Sequence, residues 1–145
     1  MSIYKKILVA IDFNAEYENV VQRAISVCRS LEDVSLVYVS TPVIYIQPLL
    51  YGNEYNAMTD AEVVVQSREK LGGIAAKFGI NKENIHVRTG DVSDEIKTLA
   101  NDSRADLIVI GTHGRSGIKV LLGSKANAVL HGVKQDVLAV RMHDD

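Results

Sequence analysis

Five short apolar runs recur along the chain, separated by segments in which apolar residues return at helical spacing. Each run is seven or eight residues long, as is typical of strands buried on both faces of a sheet. The fourth run, "ADLIVIG", is the most apolar, whereas the third, "NIHVRTG", alternates polar with apolar residues. We predict five strands, at 5–12, 34–40, 84–90, 105–111 and 136–142.

The first predicted helix follows the first strand. Asn14 is a suitable N-cap, and Glu16 would be favourable in the first turn, where the helix dipole attracts a negative charge. Apolar residues then repeat at a spacing of about 3.6, which predicts one buried face. That face would contain Val20, Val21, Ala24, Ile25, Cys28 and Leu31.

The second predicted helix begins with a capping box. Thr59 and Glu62 have the spacing at which each side chain satisfies a backbone donor near the other. The helix should continue to about Lys77 and end at Gly79, since glycine readily adopts the left-handed conformation of a C-cap. Two further helices are predicted, over 92–102 and 124–132.

Strands that alternate with helices, and are apolar throughout, predict an α/β fold. We expect a doubly wound five-stranded parallel sheet with helices on both faces, forming a single domain over residues 1–145. In such sheets ligands bind at the carboxyl ends of the strands, where the strand order reverses. The first and fourth strands are the central candidates, which puts Asp12 and the loop after Gly111 on one rim.

The connection over 41–58 is unusually long and contains both prolines and three of the six tyrosines. Connections inside compact domains are usually much shorter. This segment is therefore predicted to be either a lid or a partly disordered loop.

Composition excludes several classes of protein. The chain has 145 residues, 47% hydrophobic and 23% charged, which is typical of a globular domain. A net charge of −2 without a basic run argues against nucleic-acid binding, and no apolar run approaches the roughly 20 residues of a membrane span. The N-terminal stretch lacks a secretory signal, and Cys28 is the only cysteine, so we expect a cytoplasmic protein in which Cys28 is a small buried hydrophobe.

Candidate chemistry concentrates in "GTHGRSGIKVLLGS", residues 111 to 124. Gly111 and Gly114 would let the chain turn tightly off the fourth strand, while Gly123 and Ser124 stand at the start of a helix with unpaired N–H groups. Together they could hold a phosphate. The segment matches neither the P-loop nor the dinucleotide-binding pattern, so spacing alone leaves an ordinary strand–loop–helix turn as the alternative.

Three segments, "KKILVAIDF", "ADLIVIGTHGRSG" and "LLGSKANAVL", resemble the universal stress protein family in order and spacing. The resemblance implies a Rossmann-like, adenine-nucleotide alpha-hydrolase-like fold. In that family the nucleotide-binding branch has the pattern Gly-x2-Gly-x9-Gly-Ser/Thr and binds ATP or another adenine nucleotide; a second branch lacks the glycines. Here Gly111, Gly114, Gly123 and Ser124 are kept, but eight residues separate Gly114 from Gly123. The number of phosphates held therefore stays open.

The resemblance also implies which residues contact the nucleotide. Asp12 would accept a hydrogen bond from the ribose or help hold a metal such as Mg²⁺, and the Val39 backbone would face the adenine edge. His113 would border the ribose and phosphates without a catalytic role, because no nucleophile or carboxylate partner is identifiable beside it. Arg115 would screen phosphate charge, unless it is simply a solvated loop cation. The full predicted set is Ala10, Ile11, Asp12, Val39, Ile110, Gly111, His113, Gly114, Arg115, Gly123, Ser124, Lys125 and Ala126.

The terminal strand suggests how the chain assembles. A strand at the edge of a sheet exposes unpaired backbone groups, and pairing with a second copy through a two-fold axis would cover them. The family commonly dimerises in this way, so Val137 to Met142 is the predicted homodimer interface.

Three functions are compatible with these observations. The first is a dimeric adenine-nucleotide-binding stress-response protein, acting as a sensor or regulator with at most slow ATP hydrolysis. The second is a dimeric interaction module without significant nucleotide binding. The third is an enzyme, such as a nucleotidyltransferase or an ATPase, for which no general base stands out.

Overall fold

The computed structural model describes residues 3–13, 16–42, 59–111 and 133–141. Most of the long predicted connection, 43–58, lies outside the described residues. So does the helix predicted over 124–132.

The five predicted strands form one parallel sheet in the order β3-β2-β1-β4-β5. Strand β1 lies at the centre, because Ile7 pairs with Val34 of β2 on one side and with Leu107 of β4 on the other. The predicted α/β doubly wound fold is therefore confirmed. The strands are β1 (Ile7–Ala10), β2 (Val34–Ser40), β3 (Ile85–Thr89), β4 (Leu107–Gly111) and β5 (Asp136–Val140).

Helices cover both faces of this sheet. Successive side chains of β1 point to opposite faces, so Ile7 and Val9 enter one core while Leu8 and Ala10 enter the other. Of the helices that the structure describes, two pack on the first core and one on the second, and this double cover explains why the central strands β1 and β4 are apolar throughout. The helices are α1 (Tyr17–Val27), α2 (Asp60–Phe78) and α3 (Val92–Asp102), with 3-10 turns at Leu31–Asp33 and Lys82–Asn84.

Both ends of α2 lie where predicted, but the Glu62 side chain binds the Thr59 hydroxyl and not a backbone N–H as in a full capping box. The Thr59 hydroxyl accepts a hydrogen bond from the Glu62 N–H at 3.2 Å and donates to Glu62 Oε1 at 3.1 Å. Gly79 ends the helix with a φ of 75°, in the left-handed region. None of the helices among the described residues is long and apolar enough to cross a membrane.

The predicted bounds of α1 were wrong at both ends. Glu16 is the N-cap rather than a first-turn residue, its side chain makes no capping hydrogen bond, and Asn14 lies outside the described residues. The helix stops at Val27 because the Cys28 backbone turns extended and bridges Tyr4, a contact 24 positions away that no local pattern reveals.

Leu31 is consequently not on the face of α1. It begins a 3-10 turn that the Ser30 side chain caps, and it is 37% exposed. Cys28 is half-buried rather than buried; its thiol donates to the Ile25 carbonyl at 3.1 Å, and burial raises the thiol pKa. A raised pKa disfavours the reactive thiolate.

Candidate functional site

The strand order reverses between β1 and β4. From β1 the chain crosses to β2 and β3 on one side of the sheet, and then returns to β4 and β5 on the other. The β1–β4 register pairs Val9 with Val109, and continuing that register by two residues brings Ile11 level with Gly111. The junction of β1 and β4 is therefore a topological switch point, where ligands bind in open α/β sheets.

The predicted site residues within the described part of the chain all lie at the carboxyl ends of β1, β2 and β4, which we call the carboxyl-end rim. The Ile11 N–H donates to the Val37 carbonyl at 2.9 Å, which extends the β1–β2 ladder and positions Asp12 just beyond it. Asp12 is only 8% exposed, so its carboxylate is held at the rim with little contact to bulk water. The other buried members are Ala10, Ile11, Val39, Ile110 and Gly111.

The second half of the predicted site follows β4. The structure brings the glycine loop only as far as Gly111, the last residue of β4, so the loop departs from the same rim as Asp12. The remaining predicted contacts lie outside the described residues; they are His113, Gly114, Arg115, Gly123, Ser124, Lys125 and Ala126.

A pair of hydroxyls at the rim was not predicted. Ser40 and Thr89 end β2 and β3 in register, and their hydroxyl oxygens lie 3.3 Å apart. The Gly90 N–H donates to the Ser40 carbonyl at 2.9 Å, and Asp91 then caps α3 by accepting from the Asp94 N–H at 3.0 Å. Two hydroxyl residues at the ends of neighbouring strands were the signal available in the sequence.

An aromatic cluster beside the rim was also missed. The ring of Phe13, the residue after Asp12, stacks on that of Tyr38 with centroids 4.2 Å apart and planes 23° apart. Lys70 Nζ lies 5.5 Å from the centroid of the Phe13 ring. A cavity of about 360 Å³ opens beside this cluster between α1 and α2.

His86 is a titratable group of the described residues that lies away from the rim. His86 lies in β3, and its pKa is lowered by burial first and then by the nearby charges of Arg88, Arg68 and Lys6. Across the described ranges, no three His, Cys, Asp or Glu side chains come together closely enough to hold a metal ion.

Comparison with known proteins identifies a family that this chain matches. Residues 3–141 match the model of the universal stress protein family. Among curated relatives, universal stress protein A homolog 1 of Coxiella burnetii is 37% identical over 145 residues, covering 97% of this chain and 99% of its own.

Solved structures share the fold at lower identity. The hypothetical protein MJ0577 is 24% identical with a TM-score of 0.70, over 99% of each chain. A universal stress protein in complex with cAMP is 23% identical with a TM-score of 0.58, over 98% of this chain and all of its own. The universal stress protein from Archaeoglobus fulgidus in complex with dAMP is 20% identical with a TM-score of 0.52, over 95% and 98%. From the match over nearly its whole length, the chain belongs to the universal stress protein family.

Proposed function

We propose that this protein binds an adenine nucleotide, ATP or AMP, at the carboxyl-end rim, and acts as a sensor or regulator in the stress response. The observation that carries the proposal is the junction of β1 and β4, where the buried Asp12 and the start of the glycine loop at Gly111 lie on neighbouring strands. The cAMP and dAMP complexes of two proteins with the same fold support a ligand of this class.

The described side chains suit a base and a ribose. Ala10 and Ile11 provide a buried apolar wall, and the Val39 backbone lies at the end of the neighbouring strand, within the rim. Asp12 supplies the one carboxylate of that set, suited to accept from a ribose hydroxyl; with Mg²⁺ bound to the nucleotide, the same oxygens could also face the cation. Gly111 has no Cβ, so an oxygen of the ligand can approach the backbone closely.

The phosphates would lie on the loop after β4. In this proposal Ile110, Gly111, His113 and Gly114 border the ribose and phosphates, and Arg115 screens their charge. The helix predicted over 124–132 would supply N–H and hydroxyl donors to the phosphates through Gly123, Ser124, Lys125 and Ala126. His113 contacts the ligand but has no nucleophile paired with it in the sequence, so hydrolysis of ATP would be slow at most.

Assembly and location complete the proposal. Among the strands that the structure describes, β5 lies at an edge of the sheet and pairs only with β4, and this supports a homodimer through Val137 to Met142. Sedimentation would report such a dimer as twice the chain mass of 15.9 kDa. The single cysteine and the composition favour a cytoplasmic, single-domain protein over residues 1–145.

Nucleotide released from the purified protein tests the function directly. Denaturing the protein and chromatographing the supernatant should yield an adenine nucleotide, or added ATP or AMP with Mg²⁺ at millimolar concentration should raise the melting temperature. The variant Gly123→Leu should abolish both effects, because in this proposal the added side chain would take the space of a phosphate.

The matched control is Gly72→Ala in α2, whose added Cβ would lie 3.9 Å from Ile85 Cδ1, an ordinary contact remote from the rim. It should retain nucleotide fully. A protein that releases no nucleotide and shows no melting shift with either ligand would be the interaction module instead.

A further inference from the structure

The cavity between α1 and α2 lies on the face of the sheet opposite α3, and the nucleotide proposal makes no use of it. Its volume is about 360 Å³, at the lower end of the range of small-molecule pockets. Its lining combines apolar and cationic groups. The lining residues are Phe13, Tyr17, Lys70, Gly73, Ile74 and Lys77.

One wall of this cavity is flat and aromatic. Phe13 and Tyr17 are half-buried, and Phe13 is held in position by its stack on Tyr38 at 4.2 Å. Ile74, which is 6% exposed, adds an aliphatic surface from α2. A planar ring would find offset stacking and apolar contact there.

A glycine keeps the cavity open. A Cβ added at Gly73 would meet nothing within 4 Å, whereas glycine in the interior of a helix lowers helix stability. The neighbouring Gly72 would gain an ordinary contact with Ile85 from the same addition. Gly73 is exposed, so the space above it is open to solvent and accessible to a ligand.

The charges of the cavity are unbalanced. Lys70 and Lys77 lie two helical turns apart on the same face of α2, roughly 10 Å along its axis. Lys77 Nζ is 4.0 Å from Glu18 Oε1, whereas Lys70 makes no ion pair within the described part of the chain. One cation therefore remains uncompensated, next to the Phe13 ring.

We propose that this cavity binds a small aromatic carboxylate, with its ring between Phe13 and the open surface of Gly73 and Ile74 and its carboxylate at Lys70. A single negative charge balances the one uncompensated cation, and the aromatic wall selects a ring over an aliphatic chain. The site is separate from the carboxyl-end rim and does not rest on nucleotide binding there.

The expected affinity of the cavity for its ligand depends on how exposed its charged group is. Lys70 is exposed, and an exposed ion pair contributes little, so charge alone would not give detectable affinity. Ring and charge together should bind in the millimolar range, about −4 kcal/mol. The affinity for the charged ring should exceed that for the neutral ring about threefold to fivefold, as expected for one exposed pair.

The test titrates the full-length protein with benzoate, followed by amide nuclear magnetic resonance spectra. Benzoate should shift the amides of Gly73 and Ile74 saturably, but not that of Leu99, which packs against the opposite face of the sheet. Benzamide has the same ring without the charge, and acetate has the charge without the ring. Both should bind more weakly than benzoate.

Two variants localise the effect. Gly73→Leu fills the cavity with a helix-favouring residue, so it should abolish the benzoate shifts while the melting temperature stays the same or rises. Lys70→Gln should weaken benzoate binding about threefold and leave benzamide unchanged. Gly72→Ala, which also gains helix propensity but leaves the cavity open, should bind benzoate normally.

Four results would overturn the proposal. The first is no saturation by benzoate up to about 10 mM, roughly ten times the expected dissociation constant. The second is binding of benzamide or acetate as tight as that of benzoate, and the third is unchanged benzoate binding by Gly73→Leu. The fourth is displacement of benzoate by AMP together with loss of benzoate binding in Gly123→Leu, because benzoate would then occupy the nucleotide rim.

Discussion

Aspartates at the two ends of the sheet have different surroundings. At the amino end, Asp106 precedes β4 and its carboxylate accepts from the N–H groups of Lys5 and Lys6 at 2.8 and 2.9 Å. Asp136, at the start of β5, accepts from the Tyr4 hydroxyl at 2.9 Å. At the carboxyl end, Asp12 is 8% exposed and follows the central strand at the topological switch point.

The difference separates structural carboxylates from candidate functional ones. Asp106 accepts from two backbone N–H groups of the N-terminal segment and Asp136 from its Tyr4 hydroxyl, so these hydrogen bonds explain why both carboxylates are there. Asp12 lies beside Gly111 where the strand order reverses, which is the position at which open α/β sheets generally bind ligands. Substituting a carboxylate at each end should therefore affect different measurements.

The largest stability effect is expected at the amino end. Asp106→Ala leaves the Lys5 and Lys6 N–H groups without their acceptors, so the free energy of unfolding in urea should fall by about 2 kcal/mol. Nucleotide affinity should stay within about twofold of the wild type, because no rim residue is touched. If folded Asp106→Ala also lost nucleotide affinity, the two ends of the sheet would not have the separate roles described above.

At the carboxyl end we expect a smaller change in free energy, and it should appear in nucleotide binding and not in folding stability. Asp12→Asn preserves size and removes the charge, so nucleotide affinity should fall about tenfold, as for the loss of one charge-assisted hydrogen bond. Calorimetric titration with AMP measures this loss, and urea unfolding of the same sample supplies the control. If affinity were unchanged while stability dropped, Asp12 would be a structural carboxylate like Asp106.

The smallest expected effect on stability comes from His86, a residue outside the two sets of aspartates. The pKa of His86 in β3 is lowered in the folded protein, first by burial and then by Arg88 and Arg68, so the unfolded chain binds the proton more readily. The stability associated with His86 is therefore complete above its unfolded pKa of about 6.5 and is lost as the pH falls through its folded value.

The measurement is urea unfolding at a series of pH values between 7 and 5. His86→Gln should flatten the part of the pH dependence that this histidine contributes. An unchanged profile in that variant would assign the pH dependence to other groups.

Local patterns predicted most of the fold. The apolar runs located all five strands to within a few residues, and the Thr59–Glu62 capping box and Gly79 gave the limits of α2. The end of α1 was missed because it depends on the bridge between Cys28 and Tyr4, which joins distant parts of the chain.

The candidate site was predicted only where it depends on local patterns of this kind. Asp12 and Gly111 each end a predicted strand, so both the strand ends and their common rim could be inferred. The Ser40–Thr89 hydroxyl pair depends on the register between two strands, and the cluster of Phe13, Tyr38 and Lys70 on how α2 packs against the sheet. Neither arrangement is encoded by spacing within one segment.

Titration of the labelled protein with AMP, monitored by amide chemical shifts, tests the central claim most directly because it reports both ends of the sheet at once. We predict saturable shifts at Ile11, Asp12 and Gly111, none at Lys6 and Asp106, and loss of all shifts in Gly123→Leu. No saturable shift with AMP, or with ATP and Mg²⁺, would contradict nucleotide binding at the carboxyl-end rim. Shifts confined to the amino end would do the same.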